Sequence, residues 1–108
     1  MFGRRCSVMG VVHVSALPGS AGYGGVIEKI VDTALSDAMV YKSEGIDALM
    51  VENMHDAPYL RGHVYPETTA AMAIVASAIK RETKLPCGGH ILAGANDEAL
   101  GVAIASGL

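Results

Sequence analysis

Apolar residues follow two alternating patterns along the chain. Short segments that are mostly apolar favour buried strands, and they cover residues 7–14, 46–52 and 85–92. Longer segments with an apolar residue every three or four positions predict amphipathic helices, and they cover residues 26–44, 66–82 and 97–106. The sequence therefore predicts an α/β protein made of consecutive β-α units.

The predicted helices have defined ends and apolar faces. Gly45 ends the first helix because glycine adopts the left-handed conformation without strain. Pro66 opens the second helix, where its missing N–H would be unpaired in any case, and Asn96 or Asp97 caps the third. The residues predicted to be buried are Ala70, Ala71, Ile74, Val75, Ala78 and Ile79 on the second helix, and Leu100, Ala103 and Ile104 on the third.

Right-handed crossovers between these units predict a parallel sheet. The pattern leaves two closures open, a doubly wound open sheet and part of an eight-stranded (β/α)8 barrel. The last residues, ASGL, resemble the SEGI that precedes the second strand, so the chain is expected to end where a fourth strand would begin. It would then be a truncated barrel with open sheet edges, through which self-association is expected.

Composition and charge narrow the class of protein. A length of 108 residues predicts a single domain over residues 1–108, and a hydrophobic content of 51% excludes a disordered chain. A net charge of −3 with scattered Lys and Arg predicts no nucleic-acid partner. No apolar run approaches the roughly 20 residues that span a bilayer. Cys6 and Cys87 form no CxxC pair, which favours reduced thiols and a cytoplasmic location, with the mitochondrion as the alternative.

Polar side chains stand at the predicted carboxyl end of each strand. The residues are His13 after the first strand, Glu52, Asn53, His55 and Asp56 at and after the second, and His90 near the end of the third. Ligands gather at the carboxyl ends of parallel strands in both closures. The sequence therefore predicts one site for a small-molecule ligand at this edge of the sheet.

Each of these residues also has a structural interpretation. Glu52 could be solvated or paired with a lysine, Asn53 could cap the loop through its own backbone, and Asp56 is a typical turn former. His55 fits an exposed loop, and His13 and His90 fit core histidines whose polar atoms are satisfied. No HxH, HExxH or CxxC spacing is present, so neither a metal nor a cofactor is predicted. The glycine-rich PGSAGYGG lacks the spacing of a phosphate-binding loop and is interpreted as an ordinary βα loop.

Several stretches resemble motifs of the BtpA family. GVVHVSALPGSAGYGG has the Val-His, Leu-Pro-Gly and Tyr-Gly-Gly of its first-strand signature. DALMVENMHDAPY has the Val-Glu-Asn and Asp-x-Pro-Tyr of the second. Residues 66–68 and 85–88 match the family's Pro-Glu-Thr and Leu-Pro-x-Gly. The resemblance extends over nearly the whole chain.

This resemblance implies a (β/α)8 barrel of roughly 250 residues, of which the chain would be the first three units. The family takes its name from a photosystem I biogenesis factor of cyanobacteria, and no reaction is established across it. Relatives commonly have Asn or Gln where this chain has His90, and the AGA before Asn96 resembles a short insertion. Both departures fall at or after the third strand.

Three hypotheses about function follow, and they leave open whether the protein is an enzyme. In the first, the site binds or transforms a phosphorylated or sugar-like metabolite, with Glu52 and Asp56 as catalytic residues and with His13, Asn53 and His90 binding the substrate. In the second, the protein is a non-catalytic assembly or stability factor. In the third, the chain is an inactive truncated product.

Overall fold

The computed structural model describes residues 6–56 and 61–108. Within these ranges the elements are β1 (Met9–His13), α1 (Ile27–Ser43), β2 (Ala48–Glu52), α2 (Pro66–Thr83), β3 (Cys87–His90) and α3 (Asn96–Ser106). Each element begins and ends no more than two residues from the limits that the sequence predicted. The two N-terminal arginines and the Ala-Pro-Tyr of the second-strand motif lie outside the described residues.

The strands form one parallel sheet in the order β1-β2-β3. The predicted α/β class with a parallel sheet is therefore confirmed. The register pairs His13 with Glu52 and Glu52 with His90, so the last residues of the three strands form a single row across the sheet.

The two faces of the sheet differ because alternate residues of a strand point to opposite sides. On one face Val12 and Val51 are register partners, and they pack into a core with Ile30 and Met72 of the helices. α1 packs against α2, and α2 packs against α3, so the helices form one layer over this face. Met9 on the opposite face is half exposed, and the row of His13, Glu52 and His90 ends that face.

The helix ends confirm two predictions and correct a third. Gly45 has a φ of +80°, in the left-handed region, directly after Glu44, the C-cap residue of α1, and Pro66 is the first residue of α2. The predicted cap of α3 is wrong. Ala95 precedes the helix, Asn96 is already helical, and no side chain makes a capping hydrogen bond there.

The predicted buried stripe of α2 is correct for four of its six residues. Ala71, Val75, Ala78 and Ile79 are buried, whereas Ala70 and Ile74 are exposed. The buried side of α2 also includes Thr68, Met72, Ala76 and Thr83, which the prediction omitted. α2 lies between α1 and α3, and its buried residues share one core with those of the strands, so its buried side is wider than a narrow stripe.

The predicted apolar face of α3 is wrong. Val102 is the buried residue of this helix, while Leu100 and Ile104 are 62% and 75% exposed. Apolar residues occur on every side of α3, so their spacing does not identify the side that packs against α2. None of the helices in the described ranges combines the length and the apolar character needed to cross a bilayer.

Candidate functional site

The candidate site is the row formed by His13, Glu52 and His90 at the carboxyl ends of the strands. Each residue is the last of its strand, and the register makes Glu52 the neighbour of both histidines. The Glu52 side chain is 14% exposed, whereas those of His13 and His90 are 42% and 47% exposed. A shielded carboxylate therefore lies between two imidazoles that solvent reaches.

The Glu52 carboxylate contacts each histidine through a different oxygen. Oε1 lies 2.9 Å from Nδ1 of His90, which is a hydrogen-bond distance. Oε2 lies 3.6 Å from Nε2 of His13, which is within ion-pair range but longer than a direct hydrogen bond. Glu52 is thus bound directly to His90 and loosely associated with His13.

The direct contact is a hydrogen bond when Glu52 is ionised and Nδ1 of His90 carries a proton. An ionised carboxylate only accepts hydrogen bonds, so His90 donates through Nδ1–H to Glu52. Nε2 is then the ring nitrogen that can accept a proton from another molecule. A carboxylate in this position also stabilises the imidazolium that forms when a proton is taken up.

His55 is a fourth titratable residue near the row. Its ring is 6.3 Å from that of His13 between centroids, in an edge-to-face arrangement. His55 itself is exposed, as the loop interpretation predicted. It adds an imidazole to the His13 side of the site.

Asn53 and Asp56 are buried beside the row and bond to the protein itself. Asn53 is 1% exposed; its Oδ1 accepts a hydrogen bond of 2.7 Å from Leu92 N–H, and its Nδ2 donates one of 3.1 Å to Asp56 Oδ2. Asp56 Oδ1 accepts a hydrogen bond of 2.7 Å from Leu17 N–H. We call this connected set, from Leu17 through Asp56 and Asn53 to Leu92, the Asn53–Asp56 clamp.

The hydrogen bonds of the clamp are evidence on the roles that the sequence suggested for Asn53 and Asp56. Each carboxylate oxygen of Asp56 accepts a hydrogen bond from the protein, and both ends of the Asn53 amide are used in the same way. Catalysis by Asp56 and substrate binding by Asn53 stay predictions. The geometry favours the structural alternative for both residues.

The glycine-rich loop after β1 packs against the start of α2. Thr68 donates a hydrogen bond from Oγ1 to the carbonyl oxygen of Pro18. Gly19 has a φ of +95°, and a Cβ at this position would lie 2.5 Å from Thr68 Oγ1. Glycine at position 19 is therefore explained by close packing and backbone conformation, which agrees with an ordinary βα loop.

A contact that the sequence did not suggest joins His63 to Glu98. His63 Nδ1 lies 2.9 Å from Glu98 Oε1, and the contact links the loop before α2 to the first turn of α3. This hydrogen bond lowers the pKa of the Glu98 carboxyl below its usual value. The two residues are far apart in sequence, and no local motif could have paired them.

The cysteines contribute no reactive group to the row. Cys6 and Cys87 are both free thiols. Burial raises the pKa of the Cys87 thiol, and the nearby charge of Lys80 offsets this only in part. Cys87 is therefore less nucleophilic than an ordinary thiol near neutral pH. Within residues 6–56 and 61–108, no group of three or more His, Cys, Asp or Glu side chains is arranged to hold a metal ion.

Fold and site together define a parallel α/β protein with a histidine–carboxylate row at the carboxyl ends of its strands. The chain belongs to the BtpA family, whose family model matches residues 4–108. The resemblance of the strand motifs to that family is confirmed. No solved structure matches the chain.

Relatives come from archaea, animals and cyanobacteria. An uncharacterised protein of Pyrococcus horikoshii is 45% identical over 79% of this chain and 32% of its own length. An uncharacterised mitochondrial protein of Caenorhabditis elegans is 38% identical over 96% of the chain and 39% of its own length. The photosystem I biogenesis protein BtpA of Synechocystis is 34% identical over 92% of the chain and 34% of its own length. The chain thus spans about a third of the length of the relatives it matches.

Proposed function

We propose that the row of His13, Glu52 and His90 is a proton-transfer site for a small polar metabolite. Glu52 orients His90, and His90 exchanges a proton with the substrate through Nε2. The observation that carries this proposal is the 2.9 Å contact between Glu52 Oε1 and His90 Nδ1. A carboxylate that holds one ring nitrogen aims the other outward, and histidine is the side chain whose charge changes nearest to neutral pH.

His13 supplies the second contact for the substrate. Its imidazole lies on the other side of Glu52, with Nε2 at 3.6 Å from Oε2, and its side chain is partly exposed. A compound with a carbonyl and a neighbouring hydroxyl could contact both imidazoles, because each ring can donate or accept a hydrogen bond. The substrate class is therefore a small hydroxy-carbonyl compound, which includes simple sugars. A phosphate on this substrate stays a prediction from the sequence.

We also propose that the sheet closes as part of a barrel and not as a doubly wound sheet. In a doubly wound fold the helix after the third strand crosses to the opposite face, whereas in a barrel it stays in the layer of its predecessors. α3 packs against α2 in the helix layer, and Met9 on the opposite face is left without a helix among the described residues. Both observations support a sector of a (β/α)8 barrel, in which the helix-free face would line the barrel interior.

Solvent exchange tests the proposed reaction because it detects proton transfer whatever the product is. The chain is incubated in D2O with a panel of small hydroxy-carbonyl compounds and sugar phosphates, and loss of carbon-bound protons is followed by NMR. We expect at least one compound to exchange the proton beside its carbonyl. Glu52→Gln should slow this exchange about a hundredfold or more, since positioned acid–base groups contribute roughly 10²–10⁴-fold.

Glu82→Gln is the matched control because Glu82 is an exposed glutamate in the last turn of α2. This variant should exchange the compound as fast as the wild type. Absence of exchange with every compound, or equal rates for Glu52→Gln and the wild type, would refute proton transfer at the row.

The alternative function is a non-catalytic assembly or stability factor. It draws on the name of the Synechocystis relative, a photosystem I biogenesis protein. Among the described residues, no contact favours this alternative over the proton-transfer function proposed for Glu52 and His90. Self-association through the open edges of the sheet and a location in the cytoplasm also stay predictions.

A further inference from the structure

The Asn53–Asp56 clamp continues the connections between the strands beyond the row. The paired register of β2 and β3 ends at Glu52 and His90. Asn53 directly follows Glu52, and its Oδ1 bonds to Leu92 N–H two residues after His90. The β2 and β3 chains are thus joined on both sides of the Glu52–His90 contact, by the sheet before it and by the clamp after it.

The clamp makes a similar connection on the β1 side. Val14 N–H donates a hydrogen bond of 2.8 Å to the carbonyl oxygen of Glu52. Further along, Leu17 N–H donates to Asp56 Oδ1, and Asp56 is bonded to Asn53. Two buried side chains of the β2 end therefore hold the loops after β1 and β3 at the same time.

We propose that Asn53 and Asp56 are positioning residues, which hold His90 at hydrogen-bond distance from Glu52 without contacting the substrate. This inference rests on the proposed function of the row. It assigns both polar atoms of each side chain to the protein and leaves the outward-facing chemistry to His13, Glu52 and His90. Because the clamp is buried, substitution of either residue leaves its partner without a hydrogen bond, which water cannot replace there.

A reciprocal exchange of the two residues tests the clamp. Asn53→Asp retains an acceptor for Leu92 N–H but sets two carboxylates against each other, and Asp56→Asn sets two amides against each other. The double variant Asn53→Asp/Asp56→Asn restores all three bonds, and only the bond between residues 53 and 56 reverses its donor. Its residue 53 accepts from Leu92 and from residue 56, and its residue 56 accepts from Leu17. The net charge of the pair is unchanged.

The readout is the tautomer of His90, measured by long-range ¹H–¹⁵N NMR at a pH where the ring is neutral. Free neutral histidine favours the Nε2–H tautomer, whereas a hydrogen bond to Glu52 requires Nδ1–H. We expect Nδ1–H to predominate in the wild type and in the double variant. We expect each single variant to shift toward Nε2–H. Glu52→Gln tests the assignment of the signal, because a glutamine amide is a weaker acceptor than a carboxylate.

The outcomes separate this inference from the proposed reaction. Folded single variants with the wild-type tautomer would overturn the positioning role. Should the single variants not fold, the double variant must fold and show the wild-type tautomer, and its failure to do so overturns the role as well. A restored tautomer without proton exchange on any compound would support positioning and refute the proposed reaction.

Discussion

Gly10 lies directly beneath the ring of Tyr41. A Cβ at this position would be 2.7–2.9 Å from three ring carbons of Tyr41. The ring is held from its other end, because the Tyr41 hydroxyl donates a hydrogen bond of 3.1 Å to the carbonyl oxygen of Val11. Even one added methyl group would therefore force α1 away from β1 or break this hydrogen bond.

Gly10→Ala is expected to destabilise the chain by about 1–3 kcal/mol, the usual cost of adding atoms to a closely packed site. Urea denaturation followed by circular dichroism measures the effect. Gly101→Ala is the matched control, because a Cβ there would meet nothing within 4 Å and alanine favours a helix. It should stabilise the chain by about 0.5–1 kcal/mol. Equal effects of the two changes would contradict the packing argument.

Residue types at the strand ends were predictable, but most of their contacts were not. His13, Glu52 and His90 could be assigned to one edge because the strands are parallel. Their alignment in one row depends on the register, which the sequence does not encode locally. The partners of Asn53 and Asp56 are backbone groups of distant loops, so no motif could distinguish a clamp from a substrate-binding pair.

At the scale of the elements, α3 shows that the sequence can predict the order and limits of a helix but not which of its faces is buried. Its order and limits followed from a run of helical residues and the preceding loop. Residues 99–106 have no charge, so polar residues do not mark an outer face. Val102 packs into the core, while Gly101 and Ala105 beside it are exposed and line a groove against α2. Tertiary packing therefore decides which face of α3 is buried.

Replacing either of two side chains of α3 with alanine tests which face of this helix is buried. Val102→Ala should cost about 2 kcal/mol of unfolding free energy, because it removes buried methyl groups and leaves a cavity. Ile104→Ala removes a larger side chain that is mostly exposed, and it should change stability by less than about 0.5 kcal/mol. Both are measured by urea denaturation at one protein concentration. A larger loss for Ile104→Ala would restore the face that the sequence first suggested.

At the scale of the whole molecule, the parallel order of the sheet followed from alternating patterns and the handedness of crossovers. The closure of the sheet did not, because a doubly wound sheet and a barrel begin with the same units. The packing of α3 beside α2 supports the barrel sector that we propose. The link between His63 and Glu98 strengthens this arrangement by joining the loop before α2 to α3.

Acid sensitivity of the whole chain tests this link. The hydrogen bond with His63 lowers the folded-state pKa of Glu98, so the carboxyl binds its proton more readily in the unfolded chain. Its stabilising contribution is therefore complete above the unfolded glutamate range of about 4.3 and is lost as the pH falls through the lower folded value. We expect the melting temperature of the wild type to exceed that of Glu98→Gln at pH 6, and the difference to shrink toward pH 3.

Glu67→Gln, which changes an exposed glutamate in the first turn of α2, controls for the helix dipole. A difference that persists unchanged at pH 3, or one equal to that of the control at every pH, would mean that the His63–Glu98 contact does not hold α3 to the loop.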